Sequence, residues 1–288
     1  MSTLAALVLI MSTAIALEAL RLFPLDGLLC AGGLRNILYA FGLGYGASMM
    51  ANSFVVLAPR LRDLLTIGGP ALGAQQLPIA GGVLFFAYGL RLAAFLWRRQ
   101  ADASYGPKLS DVQAKSDGMP LVAKASITAF VALSQSFYAM PLLLSCETAL
   151  KLAPATAGVP LGAWSALAVS ASGLLLEAVA DEQKLAAKRL DPTAPCTSGL
   201  YARCRHPNYS GEILFHLGMW GLTAGAPLPT RLLSMSSQGF MTWVMVGAAN
   251  RLDADGQKKY GESPKYREWR ARTGRLLPRL GTVKTSTA

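Results

Sequence analysis

Charge is what this 288-residue chain has least of. Asp, Glu, Lys and Arg make up 15% of it, against about a quarter in an ordinary soluble domain. The deficit is concentrated in blocks: residues 36–59, 64–90, 152–176 and 232–250 contain none of the four. A helix needs about 20 mostly apolar residues to cross a hydrocarbon core of about 30 Å. Several such blocks in one chain exclude a soluble single-core fold and predict a polytopic membrane protein. Histidine is nearly absent, with His206 and His216 the two examples, and the four cysteines show no C-x-x-C or Cys/His spacing. A zinc module is therefore not expected, and free thiols are. No repeat period and no second soluble domain is visible.

The apolar blocks predict an all-α transmembrane bundle of about seven spans, placed near 3–22, 29–58, 78–97, 124–149, 160–180, 211–226 and 232–250. Helices are required because lipid offers no partner to open backbone groups. The first segment carries one acid, Glu18, and lacks the basic start of a secretory signal, so it reads as a span and not as a removed peptide. Basic residues set the orientation. Arg98, Arg99, Lys108, Lys115, Lys184, Lys188, Arg189, Arg203 and Arg205 follow spans three and five, and residues 251–288 add ten Lys/Arg against four Asp/Glu. The tail thus supplies +6 of the +11 net charge. The positive-inside bias places the C-terminus in the cytosol. Basic charge so arranged suits anionic lipid and not nucleic acid. In span two, Gly42, Gly44, Gly46 and Ala47 read as close helix packing.

The polar residues that remain gather in Gly199-Leu-Tyr-Ala-Arg-Cys-Arg-His-Pro-Asn-Tyr-Ser-Gly-Glu212. Arg203, Arg205, His206, Asn208, Tyr209 and Glu212 stand where a cytosolic loop meets the next span, at the edge of a low-dielectric region. Charge there is costly unless paired or functional. Arg presents a planar fork to phosphate oxygens, and Asn, Tyr and Glu suit a ribose or a base. Glu177 and Asp181 lie four apart on span five and share a helix face. Tyr88 and Arg91 share a face of span three, close enough to its border for Arg91 to snorkel. His216, one turn after Glu212, reads as a packing or hydrogen-bonding group.

The run R-H-P-N-Y-x-G-E resembles the signature of the steroid 5α-reductase superfamily, and more distantly the R-H-P-x-Y of isoprenylcysteine carboxyl methyltransferases. The likeness is nearest to the DUF1295 branch, whose G-x-x-x-E-x-x-A-D-x-Q-K is similar to Gly173–Lys184. Tyr266–Pro278 is similar to that branch's ending, with Trp269 in place of a Tyr, and Tyr88-Gly-Leu-Arg91 to its W-G-L-R element. The likeness is strong over 170–278 and mainly hydropathic over the first 150 residues. It implies a single membrane domain, with 1–150 receiving a lipophilic substrate and 151–288 binding NADPH.

Residue by residue, the resemblance assigns Arg91, Glu177, Asp181, Arg203, Arg205, His206, Asn208, Tyr209, Glu212, Arg251, Tyr260 and Tyr266 to the cofactor. It assigns Tyr88 to the substrate carbonyl. The implied reaction is reduction of an activated C=C bond in a sterol, polyprenoid or fatty-acyl substrate. An endoplasmic reticulum membrane is implied for a eukaryotic member. The chain departs from 5α-reductases in having no carboxylate in span two; Asn52 and Ser48 there are poor proton sources, which weighs against a 3-keto-Δ4-steroid. Glu18 and Glu147 sit in other spans. A methyltransferase using S-adenosylmethionine and a non-catalytic scaffold are the alternatives; Asp253 and Asp255 only loosely echo the acidic pair expected of the former.

Overall fold

Long charge-poor segments can satisfy their own backbone only by coiling into helices, and the computed structural model is built almost wholly of them. It describes residues 13–66, 72–152 and 161–279. Residues 13–20 are helical. The helices that follow are α1 (Phe23–Cys30), α2 (Tyr45–Thr66), α3 (Leu72–Gln100), α4 (Gly106–Asp117), α5 (Leu121–Tyr138) and α6 (Met140–Leu152). Then come α7 (Leu161–Leu190), α8 (Pro207–Gly221), α9 (Leu228–Tyr260) and α10 (Pro264–Arg272). No strand occurs among the described residues.

Four stretches are long and apolar enough to cross a membrane: Ile37–Leu65, Gln76–Gln100, Leu121–Leu150 and Gly162–Leu190. They correspond to the expected spans two to five. Most of the expected first span, 3–22, lies outside the described residues. The expected sixth and seventh spans do form helices, α8 and α9, but neither meets the same length and hydropathy standard. Span two starts at 37 and not at 29. A 3-10 turn over Ala31–Leu34 interrupts the helix, and a Cβ on Gly33 would lie 2.6 Å from Thr128 Oγ1. Asn36 restarts the chain, its Oδ1 accepting from Leu38 N–H at 3.0 Å. The expected span 124–149 is divided at Ala139 into α5 and α6.

The chain forms two compact units. The first comprises Met1–Ala171 with His216–Phe240, the second Ser172–Phe215 with Met241–Ala288. Their boundaries fall within α7, α8 and α9. In the first, α2 packs along α3 where glycines remove the side chains: a Cβ on Gly46 would lie 2.7 Å from Gly89 O, and one on Gly89 2.5 Å from Gly46 O. Val56, Leu64, Met140, Leu142 and Leu144 form its apolar centre. Phe54 and Val83 point outward, as lipid-facing side chains do.

In the second unit, α7 and α8 touch backbone to backbone. A Cβ on Gly173 would lie 2.4 Å from Phe215 N, and one on Gly211 2.6 Å from Glu177 N. Pro207 opens α8 at a position where its missing N–H is no loss. Ala180, Cys196 and Tyr201 make a small core beside α7. Helix α10 is capped by Ser263, whose hydroxyl accepts from Tyr266 N–H at 3.5 Å.

Candidate functional site

The second unit is organised around one acid. Asp253 lies near the end of α9, 5% exposed, and three side chains converge on it. Arg205 donates through Nε (3.1 and 3.2 Å) and Nη2 (2.9 Å). His206 Nε2 lies 2.9 Å from Oδ1, and Arg275 Nε donates to Oδ2 at 3.1 Å. Arg205 Nη1 also donates to the carbonyls of Thr273 (2.5 Å) and Arg270 (3.3 Å). The backbone repeats this tie: Arg205 N–H bonds Gly274 O at 2.9 Å and His206 N–H bonds Arg275 O at 3.1 Å. Cys204 Sγ donates to Arg275 O at 3.3 Å, Ser210 Oγ to Leu276 O, and Trp269 Nε1 to Tyr201 O at 2.7 Å. The segment after α10 is thereby laced to the loop before α8.

Electrostatics follow from this packing. Burial alone would raise the Asp253 carboxyl, but the hydrogen bonds and charge of Arg205 and His206 hold it well below the ordinary carboxylate range. Burial pushes His206 below its ordinary value despite the opposing pull of Asp253. A neutral His206 therefore donates its Nε2 proton to an ionised Asp253. His206 also stacks on Tyr209, ring centres 5.7 Å apart.

Beside this group stand the other polar residues of the motif. Asn208 Nδ2 donates to Asp181 Oδ1 at 3.3 Å, and Tyr201 Oη reaches Asn208 Oδ1 at 3.5 Å. Glu177, Asp181 and Glu212 are each less than 9% exposed. Gly199 takes φ 61°, and Gln183 Oε1 accepts from Leu200 N–H at 2.9 Å, fixing the turn into the motif. Arg203 and Arg251 are exposed and Tyr260 half-buried, its ring 5.5 Å from the buried Tyr266.

Tyr88 and Arg91 belong to the first unit. Tyr88 is wholly buried within a cage of rings: Tyr45 at 6.4 Å and His216 at 6.2 Å between centres, with Tyr138 5.0 Å from His216. Tyr45 Oη lies 2.9 Å from His216 Nε2, and His216 Nδ1 lies 2.7 Å from Gln238 Oε1. The Gln238 oxygen requires a proton on Nδ1, so a neutral His216 accepts the Tyr45 O–H. Arg91 rests over the Phe95 ring at 5.4 Å.

The sequence from the middle of α2 to the segment after α10, residues 54–273, matches one family model, described as a protein of unknown function, DUF1295. The chain belongs to the DUF1295 family. The match takes in Tyr88 and Arg91 as well as the 203–212 motif, and so begins well before the stretch in which the likeness was strongest to the eye. No curated protein and no solved structure matches the chain. In this DUF1295 member the sequence marks Asp253 only as a loose echo of an acidic pair and not as the acid on which Arg205, His206 and Arg275 converge, and it does not mark Tyr45, Tyr138 and Gln238, which complete the ring cage. Asp253 carried a signal: an acid just beyond a charge-free block, in a tail crowded with arginine. His216 has the hydrogen-bonded, packed role expected of it.

Proposed function

We propose that this DUF1295 protein is a seven-span membrane reductase of the steroid 5α-reductase-like plan, with its C-terminus in the cytosol. It uses NADPH to reduce an activated C=C bond in a lipophilic substrate. The observation that carries the reading is the wholly buried Tyr88 among Tyr45, Tyr138 and His216: proton-donating hydroxyls inside an apolar bundle. Such donors in a water-poor site stabilise negative charge as it develops on a carbonyl oxygen.

The residues of the second unit fit a dinucleotide in chemistry. Glu177, Asp181, Glu212 and the Asn208 amide suit hydroxyl and carboxamide groups, and the exposed Arg203 and Arg251 suit phosphates. Arg205, given to Asp253 and two carbonyls, holds the C-terminal segment in place. When bound, NADPH supplies a hydride. Tyr88 hydrogen-bonds the carbonyl conjugated to the double bond and delivers a proton as charge builds there. Tyr45, donating to His216, keeps the cage in one tautomeric arrangement.

The test is NADPH oxidation by the purified protein over a panel of lipid enones, with Tyr88→Phe in parallel. Turnover is expected with at least one polyprenoid, sterol or fatty-acyl enone and to fall by about 10²–10⁴-fold in the variant. Methyl transfer from S-adenosylmethionine to a lipid acceptor, or an unchanged rate in the variant, would overturn the reading.

A further inference from the structure

The first unit holds an acid that neither the motif nor the proposed reaction uses. Asp26, in α1, is wholly buried. Its Oδ2 accepts from Ser136 Oγ at 2.7 Å and from Asn52 Nδ2 at 3.1 Å. Asn52 Nδ2 also reaches Gln135 O at 3.4 Å. Gln135 stands in the last turn of α5, before the break at Ala139, where carbonyls lose their intrahelical donors. One hydrogen-bonded group thus joins α1, α2 and the end of α5.

That group is short of donors. Asp26 Oδ1, Asn52 Oδ1 and Gln135 Oε1 are all buried and accept no hydrogen bond of ordinary length from the described residues, the Ser48 hydroxyl being a further, weaker neighbour of the Asp26 carboxylate. Asp26 and Asn52 are 0% exposed and Gln135 4%. Exchanging the amide ends of Asn52 would turn its oxygen toward Asp26 Oδ2 and Gln135 O, which deepens the deficit. No Lys, Arg or His pairs with Asp26 among the described residues. A buried carboxylate without a cation is unfavourable in a low-dielectric interior, and buried acceptors in excess of donors call for a positive ligand.

We propose that Asp26, Asn52 and Gln135 form a binding site for a sodium-sized monovalent cation. The donor set is one carboxylate with neutral amide oxygens, so its charge balances a single positive charge. Ser48, one turn before Asn52 on α2, and Ser136 add hydroxyls. Hard oxygen donors select alkali and alkaline-earth ions over transition metals, and a divalent ion ordinarily draws further carboxylates. The chain around the site is interrupted: by the 3-10 turn Ala31–Leu34 and the π-helical Ala40–Gly44 after α1, and by the α5–α6 break. Broken helices are how membrane proteins expose backbone oxygen to Na⁺. The bound ion neutralises Asp26 and ties α1 to α2 and α5. This site is independent of the reductase reading.

The intact protein in detergent is incubated with radioactive sodium, and its thermal midpoint is followed in NaCl, KCl and choline chloride at equal ionic strength. Saturable binding of one sodium ion per chain is expected, with a rise in Tm in NaCl that KCl and choline do not reproduce. Asn52→Ala weakens both responses and Asp26→Asn abolishes them. Wild-type protein that binds no sodium overturns the proposal without recourse to any variant. So does an equal response to all three salts, an Asp26→Asn protein that still binds, or an infrared carboxylic-acid band lost in Asp26→Asn, which would put a proton in the ion's place.

Discussion

Asp253 receives two arginines and a histidine, and among the described residues it is the acid all three share. Removing one partner of a buried ion pair leaves the rest uncompensated, at about 3–5 kcal/mol. Asp253→Asn is therefore expected to lower the thermal midpoint far more than Asp255→Asn, which alters an exposed side chain. Circular dichroism melts of the two variants check this. The pH dependence has two stages. His206 is held below its ordinary value, so the unfolded chain binds its proton first, and stability falls as pH drops below about 6.5. Asp253 is held below the ordinary carboxylate range, so its contribution is complete above about pH 4 and is lost only in stronger acid. His206→Gln is expected to remove the shallower stage and leave the deeper one. At this scale the sequence was half legible. R-H-P-N-Y marked the right place, because dense charge beside an apolar span stands out, but a partner 48 residues away carries no local mark. Arg205 reads as a phosphate ligand until Asp253 is brought to it.

Among the helices, glycine decides which pairs approach closely. Where α7 meets α8, a Cβ on Gly173 or Gly211 would lie 2.4–2.7 Å from backbone atoms, which cannot move aside as a side chain can. Gly211→Ala is expected to destabilise the second unit by about 1–3 kcal/mol through overpacking, and Gly247→Ala, whose Cβ would meet nothing within 4 Å, to be near neutral. Paired melts distinguish them. The small-residue cluster in span two predicts close packing, and Gly46 against Gly89 bears that out. Helix starts were harder to read. The 29–37 stretch carries Gly32-Gly33 and Arg35-Asn36 as marks of a break, but composition alone does not reveal that Gly32 and Gly33 admit Tyr39 and Thr128 and interrupt the helix. Composition is blind to such steric breaks, and also to the one at Ala139.

For the molecule as a whole, charge-poor blocks announced helices in a membrane, and four of the expected spans are long and apolar enough to serve. The two-unit organisation was not legible, because residues 216–240 join the N-terminal unit although the family motif lies on either side of them. In the proposed reaction the Tyr88 hydroxyl polarises a lipid carbonyl, and Arg203 and Arg251 contact the cofactor's phosphates. Tyr88→Phe should then lose turnover and keep cofactor affinity, while a paired Arg203→Ala, Arg251→Ala change should weaken affinity and leave the fold intact, both side chains being exposed.

The most direct measurement is equilibrium binding of NADPH to the purified protein, with NADH and S-adenosylmethionine titrated alongside. The account predicts saturable binding with NADPH preferred, about tenfold or more weakened in the Arg203→Ala, Arg251→Ala protein, as loss of even one of the two charge-assisted phosphate contacts would give. Saturable binding of S-adenosylmethionine with none of NADPH would contradict it.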